Sequence, residues 1–252
     1  MLKVRVIPTM LFKNLGLVKG VGFDSWRRTG SAMQAMKVYN LREVDEIVFV
    51  DIAATTEGLA PDLATVDELA DECFVPLAAG GGVRAFEDAR RLLQVGADKV
   101  VVGTAAVERP GLIAQIAERF GTQCVVVAID AKKIPGGGYE VYTRSGKQPT
   151  GLSPLALARQ VERAGAGEVI LTSIDCDGTM QGYDLALISQ IAKAVSIPVI
   201  ASGGAGNYEH MAEAVLVGGA SAVAAASIFH FTEQTPLEAK KYLKGKGIAV
   251  RL

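Results

Sequence analysis

The sequence predicts an α/β fold, a single (β/α)8 barrel (TIM barrel) spanning residues 1–252, on three observations. Short β-branched runs alternate with amphipathic stretches along the whole chain, the pattern of a parallel sheet covered by helices. Eight such units fit the length, since this barrel takes about 250 residues. One half of the sequence also repeats the other. The strands are placed near Val4–Met10, Glu46–Asp51, Val75–Ala79, Lys99–Val102, Cys124–Asp130, Glu168–Ser173, Pro198–Ala201 and Ala222–Ala225. Between them lie helical patterns such as Phe86–Val95, with Leu92 and Leu93 turned inward and Arg90 and Arg91 outward. A doubly wound open sheet is the alternative arrangement of the same alternation.

The repeat is the most specific of these signals. Val75-Pro-Leu-Ala-Ala-Gly-Gly-Gly-Val-Arg84 aligns with Ile197-Pro-Val-Ile-Ala-Ser-Gly-Gly-Ala-Gly206, with Pro76 and Pro198 122 positions apart. The match continues through Glu87 and Glu209 to Val95-Gly96 and Val217-Gly218, then slips by one residue before Thr104 and Ser227. Asp45-Glu46-Ile-Val likewise lies opposite Gly167-Glu168-Val-Ile. The reading is a barrel of approximate two-fold symmetry, its halves about 1–122 and 123–252.

Each half carries glycines after its third strand and a small-residue turn after its fourth. These are Gly80-Gly81-Gly82 with Gly103-Thr104, and Gly203-Gly204 with Ala226-Ser227. Glycine lets backbone N–H groups approach an anion, and a helix start adds partial positive charge, the usual construction of phosphate sites at the C-terminal face of a barrel. A lone cluster reads equally well as a tight turn. Two clusters related by a repeat point to a substrate with a phosphate at each end.

Composition narrows the partners. Lys+Arg 26 against Asp+Glu 27 leaves a net charge of −1, which argues against nucleic acid or an anionic membrane held by bulk charge. No apolar run reaches the roughly 18 residues of a membrane span, and the first ten residues have no signal-peptide core. Cys73, Cys124 and Cys176 are widely spaced and odd in number, so they read as neutral thiols of a cytoplasmic protein. No motif calls for a metal or an organic cofactor.

Several segments carry a family likeness. Gly80-Gly-Gly-Val-Arg84, Gly96-Ala-Asp-Lys-Val100, Val126-Val-Ala-Ile-Asp130, Thr172-Ser-Ile-Asp-Cys-Asp-Gly-Thr179, Ile200-Ala-Ser-Gly-Gly-Ala-Gly-Asn207 and Ala226-Ser-Ile-Phe-His-Phe231 resemble the cyclase subunit of imidazole glycerol phosphate synthase. In that family the barrel takes ammonia from a separate glutaminase subunit and uses it to cleave and cyclise a ribulosyl-aminoimidazole nucleotide with two phosphates. The resemblance implies acid/base chemistry for Asp130 at the end of the fifth strand, with Asp177 nearby and Gly178 contributing to a phosphate site. It implies that Lys19, in a long loop after the first strand, covers the substrate, and that Ser145, in the insertion Gly136–Thr150, lies near the site. Plainer readings stand beside these: Lys19 as a solvated charge and Asp177 as a turn residue. Asp51, ending the second strand, is a candidate for orienting groups in the site.

Four charged residues begin strands: Arg5, Glu46, Lys99 and Glu168. In the family they form a neutral ring that gates the ammonia entrance; the alternative is a set of ion pairs closing the barrel floor. Asp98 matches a position that helps dock the glutaminase.

Two departures weigh against the family's usual reaction. A second catalytic aspartate normally ends the first strand in a Cys-Leu-Asp context, whereas this chain reads Pro8-Thr9-Met10-Leu11-Phe12. Leucine exchanges no proton, so paired acid/base chemistry is not available there. Gly103 also replaces the asparagine usual beside Thr104. The segments Leu11–Lys19 and Val38–Glu46 resemble instead the glycosyl amidation-associated paralogues of the cyclase, encoded in surface-polysaccharide (O-antigen) loci. These pair with their own glutaminase and are implicated in converting a sugar N-acetyl group to an acetamidino group. The expectation is such a synthase subunit acting on a phosphorylated or nucleotide-linked sugar. The alternatives are the histidine-pathway cyclase itself and a non-catalytic activator of a glutaminase; the related pathway isomerase lacks the charged ring.

Overall fold

The computed structural model describes residues 3–14 and 16–252; Met1, Leu2 and Leu15 lie outside the described residues. Twelve strands follow in order among these residues: β1 (Arg5–Lys13), β2 (Gly16–Val21), β3 (Asp24–Gly30), β4 (Ile47–Asp51), β5 (Leu77–Gly80), β6 (Lys99–Val102), β7 (Val125–Lys133), β8 (Tyr139–Thr143), β9 (Gln148–Pro149), β10 (Glu168–Ser173), β11 (Val199–Ser202) and β12 (Ala222–Ala225). Eight are parallel and close in the order β1-β4-β5-β6-β7-β10-β11-β12, with β12 pairing back onto β1. The closed barrel rules out the open sheet, and all eight barrel strands fall where the sequence places them.

Two cores follow from the period-two alternation of strands. Residues facing out, such as Val6, Val100, Val127 and Leu171, meet the apolar stripes of the surrounding helices. Residues facing in, among them Ile7, Val48, Val101, Val126, Ile170 and Ile200, fill the barrel. The helix Phe86–Gln94 buries Leu92 and leaves Arg91 exposed, as its pattern requires. Among the described residues no helix is long and apolar enough to cross a membrane.

The half repeat survives in three dimensions. β5 and β11 start 122 residues apart, but β6 and β12 start 123 apart. The extra residue lies in the turn Val217–Ser221, where the first half has the shorter Val95–Asp98. Both halves extend their first strand into an antiparallel hairpin: β1 runs into β2 and β3, and β7 into β8 and β9. The segment after β1 is thus a paired ribbon and not the long loop expected there.

Candidate active site

Alternation carries each inward face from the floor to the mouth. Arg5, Ile7, Thr9 and Leu11 share one side of β1, and Val126, Ala128 and Asp130 share one side of β7. Asp130 therefore ends its strand pointing into the mouth, paired in register with Thr172 of β10. Burial, reinforced by the negative charge of Asp177, pushes its carboxyl up to about 7, against a hydrogen bond from the Thr172 side chain. A carboxyl that is half ionised near neutrality suits a group that both takes and returns a proton.

Lys19 and Asp177 meet as a buried ion pair, Nζ lying 2.7 and 2.6 Å from the two carboxylate oxygens. With Lys19 only 4% exposed, the solvated-charge reading fails; Asp177 is a residue of the turn after β10 and carries this buried ion pair as well. The ribbon is fixed here a second time, because Gly22 N–H donates to the Asp177 carbonyl at 2.9 Å. Gly178 makes this approach feasible. Its φ is +76°, and a Cβ there would stand 2.0 Å from the Gly20 carbonyl oxygen. Gly178→Ala should therefore lift the ribbon, seen as faster proteolytic cutting within Val21–Ser25 with the barrel's melting temperature little changed. Unaltered cutting would mean that the ribbon is held elsewhere.

The two glycine turns and the helix starts beyond them line one cavity that opens at the barrel mouth. Gly81, Gly82, Gly203 and Gly204 all adopt positive φ. The two ends nevertheless differ. At the first, Gly82 N–H donates to Thr55 Oγ1 at 3.3 Å, and Thr104 Oγ1 accepts from Arg144 N–H at 2.9 Å. At the second, Ser227 is buried at the start of its helix and its Oγ has no partner. Ala226 and Gly178 line the same cavity. Ser145 also reaches it, its hydroxyl donating to the Ile52 carbonyl at 2.6 Å.

Phe23 and Trp26, from the ribbon, are wall residues that sequence reasoning passed over, as are Thr55 and Thr172. Asp51 accepts from Ala53 and Ala54 N–H at 2.9 and 3.1 Å, which fixes the turn after β4, and burial raises its pKa.

Register settles the status of Leu11. It pairs with Val50 as Asp130 pairs with Thr172, and Val50 and Thr172 are equivalent in the repeat. Leu11 thus occupies the position of Asp130 in the other half, and it lines the cavity. Of the two equivalent positions on β1 and β7, only the one on β7 carries a carboxylate, Asp130.

At the opposite end of the barrel the four strand-start charges close into a ring. Arg5 lies 2.5 Å from Glu46 and 3.1 Å from Glu168, and Lys99 lies 2.9 Å from Glu46 and 3.2 Å from Glu168. Signs alternate, so each charge has two opposite neighbours. Asp98, just outside the ring, is exposed, and its carboxylate accepts from Leu77 N–H at 2.8 Å. It therefore fixes the start of β5, in addition to whatever it offers a partner.

With the barrel, its mouth and its floor described, sequence comparison gives the lineage. A family model described as histidine biosynthesis protein matches residues 5–235. The chain belongs to this family. The match spans both half-barrels, all eight barrel strands and both glycine turns, in accord with the resemblance to the cyclase. As a histidine biosynthesis family member, the chain is a (β/α)8 barrel of an enzymatic lineage.

Proposed function

We propose that this protein is the synthase subunit of a glutamine amidotransferase pair. Ammonia released by a partner glutaminase enters through the floor of the barrel and reacts at Asp130 with a phosphorylated or nucleotide-linked substrate. The reaction that best fits Asp130 facing Leu11, with no second carboxylate on β1, is amidation of a surface-polysaccharide sugar, forming an acetamidino group. The observation that carries this reading is the closed ring of Arg5, Glu46, Lys99 and Glu168. It stands beneath an apolar interior that leads to Asp130 and offers no charged group to retain a small neutral molecule.

Two features support a partner on the ring face. Leu41 and Phe74 end helix-to-strand connections there and are 84% and 81% exposed. Asn40, the chain neighbour of Leu41, accepts from Phe74 N–H at 3.4 Å, which brings the two connections together, and apolar groups this exposed mark interaction surfaces when they cluster. At the mouth, Leu11 and Gly103 make the first-half side apolar and open; a Cβ at Gly103 would meet only Ala128, at 3.9 Å. In the proposed chemistry ammonia adds to the N-acetyl carbonyl carbon, and the C–O bond then breaks as C=N forms; Asp130 takes two protons in turn from the nitrogen and passes them to the oxygen, which leaves as water, while Lys19 and Asp177 fix the ribbon over the substrate.

The family match favours one other reading, the histidine-pathway cyclase. Complementation of a strain lacking that cyclase separates the two. The wild-type gene should fail to restore growth, and Leu11→Asp should restore it in part. Robust growth from the unmodified gene would overturn the amidation reading. Failure of the purified chain to bind any glutaminase encoded beside it would overturn the paired-synthase reading as a whole.

A further inference from the structure

The ribbon that closes the mouth supplies two aromatic rings as well as Lys19, and the structure sets them at different ends of the cavity. Phe23 leans toward the first glycine turn: it packs on Gly146, where an added Cβ would lie 2.9 Å from its ring. Gly146 follows Ser145, and the adjoining Arg144 N–H is held by Thr104. Trp26 leans the other way. Its ring lies against Gly20, whose carbonyl abuts Gly178, and the next residue, Arg27, stands 4.6 Å over the ring of Phe231. Phe231 ends the helix that Ser227 begins. Arg27 is on the face of β3 opposite Trp26; it is the Gly20–Gly178 contact that sets Trp26 beside the second-half wall of the cavity, which the unpartnered Ser227 hydroxyl also lines.

Each of these parts suits a different portion of one ligand. A buried hydroxyl with no protein partner is costly unless something occupies it, and beside Gly203 and Gly204 it suits a phosphate oxygen. An indole face at the edge of an apolar cavity suits a planar ring, and aromatic stacking accepts any base because every base has a π-face. The ribbon shows no call for a tryptophan in packing terms, since Trp26 is half-buried and its neighbours in β3, Ser25 and Arg27, are exposed.

Resting on the reading of the cavity as a phosphate-binding synthase site, we propose that the Ser227 end takes the 5′-phosphate of a nucleotide and that Trp26 stacks on its base. The substrate is then a nucleotide-linked sugar. Its sugar projects across the mouth toward Asp130, and Leu11 and Gly103 leave room for it on the first-half side.

Trp26 is the only tryptophan of the chain, so its fluorescence reports this end of the cavity alone. The purified protein is titrated with UMP and with ribose 5-phosphate, followed by Trp26 emission and by calorimetry. UMP should quench the emission and bind at least about tenfold more tightly than ribose 5-phosphate, the scale of one stacked base. By calorimetry, Trp26→Ala should erase that preference and Trp26→Phe should keep most of it. Ser227→Ala should weaken both ligands alike. Equal affinity of the wild type for UMP and ribose 5-phosphate, or a Trp26→Ala variant that keeps the preference, would overturn the nucleotide assignment and leave phosphate binding intact. No binding of either ligand would overturn the phosphate reading with it.

Discussion

Asp130→Asn should lower ammonia-dependent turnover by at least about a hundredfold, the usual loss when a positioned proton-transfer group is removed. The same substitution should make the protein more stable at pH 8. In the folded protein the Asp130 carboxyl titrates near 7, against an ordinary 3.8, because burial and the neighbouring Asp177 disfavour its charge. Between those values the folded state holds the proton more tightly than the unfolded chain. The carboxyl's favourable contribution is therefore complete below about pH 4 and is lost as pH rises through 7. At pH 8 the wild type bears the whole cost of a buried charge and the asparagine variant bears none. The melting temperatures should diverge by several degrees at pH 8 and converge near pH 4. Turnover by the wild type should also change around pH 7, rising with pH if the ionised form accepts a proton in the limiting step. Identical melting curves at pH 8, together with near-normal turnover, would remove Asp130 from the chemistry.

The second large effect lies at the floor. Glu46 is 1% exposed and pairs with both Arg5 and Lys99. Glu46→Gln leaves two cations facing one carboxylate, and removing one partner of a buried pair typically costs about 3 kcal/mol. The urea midpoint should fall by about 1 M, for a slope of about 3 kcal/mol/M. Adding Lys99→Met restores neutrality, so the double variant should recover part of the loss, which is the signature of coupled sites. If the charges act independently the two effects will simply add, and the ring is then not a unit. A role in ammonia entry predicts in addition that Glu46→Gln impairs glutamine-driven turnover more than turnover on free ammonium.

What could be read before folding, and what could not, divides along physical lines. The ring was legible because strand starts are marked by β-branched runs, so four charges at equivalent positions had to meet on one face. The glycine turns were legible because the repeat placed them twice. Leu11 was legible because the family likeness expects an aspartate there, and the register of β1 against β4 sets it opposite Val50 as Asp130 is set opposite Thr172. The ribbon was not. Asp24-Ser-Trp-Arg-Arg-Thr-Gly30 shows no alternation, since both faces of β3 are largely exposed and nothing in composition marks it as a strand. With the ribbon unseen, the Lys19–Asp177 pair was also out of reach, because its members are separated by 158 positions. The Arg144–Thr104 bond was hidden likewise, as it depends on how the β8–β9 turn folds over the mouth.

The two-fold frame has a kinetic consequence. A ligand with a phosphate at each end can enter such a mouth in either of two directions, and the backbone alone hardly distinguishes them. The distinction comes from side chains: Asp130 against Leu11, Trp26 against Phe23, and a Ser227 hydroxyl without a protein partner against a Thr104 already engaged. Entry in the wrong direction would place the reactive carbon beside Leu11, where no proton can move. Such a misdirected complex depresses kcat and KM by the same factor and leaves kcat/KM untouched. A ligand that is unlike at its two ends escapes this loss, because a base fits Trp26 in one direction only.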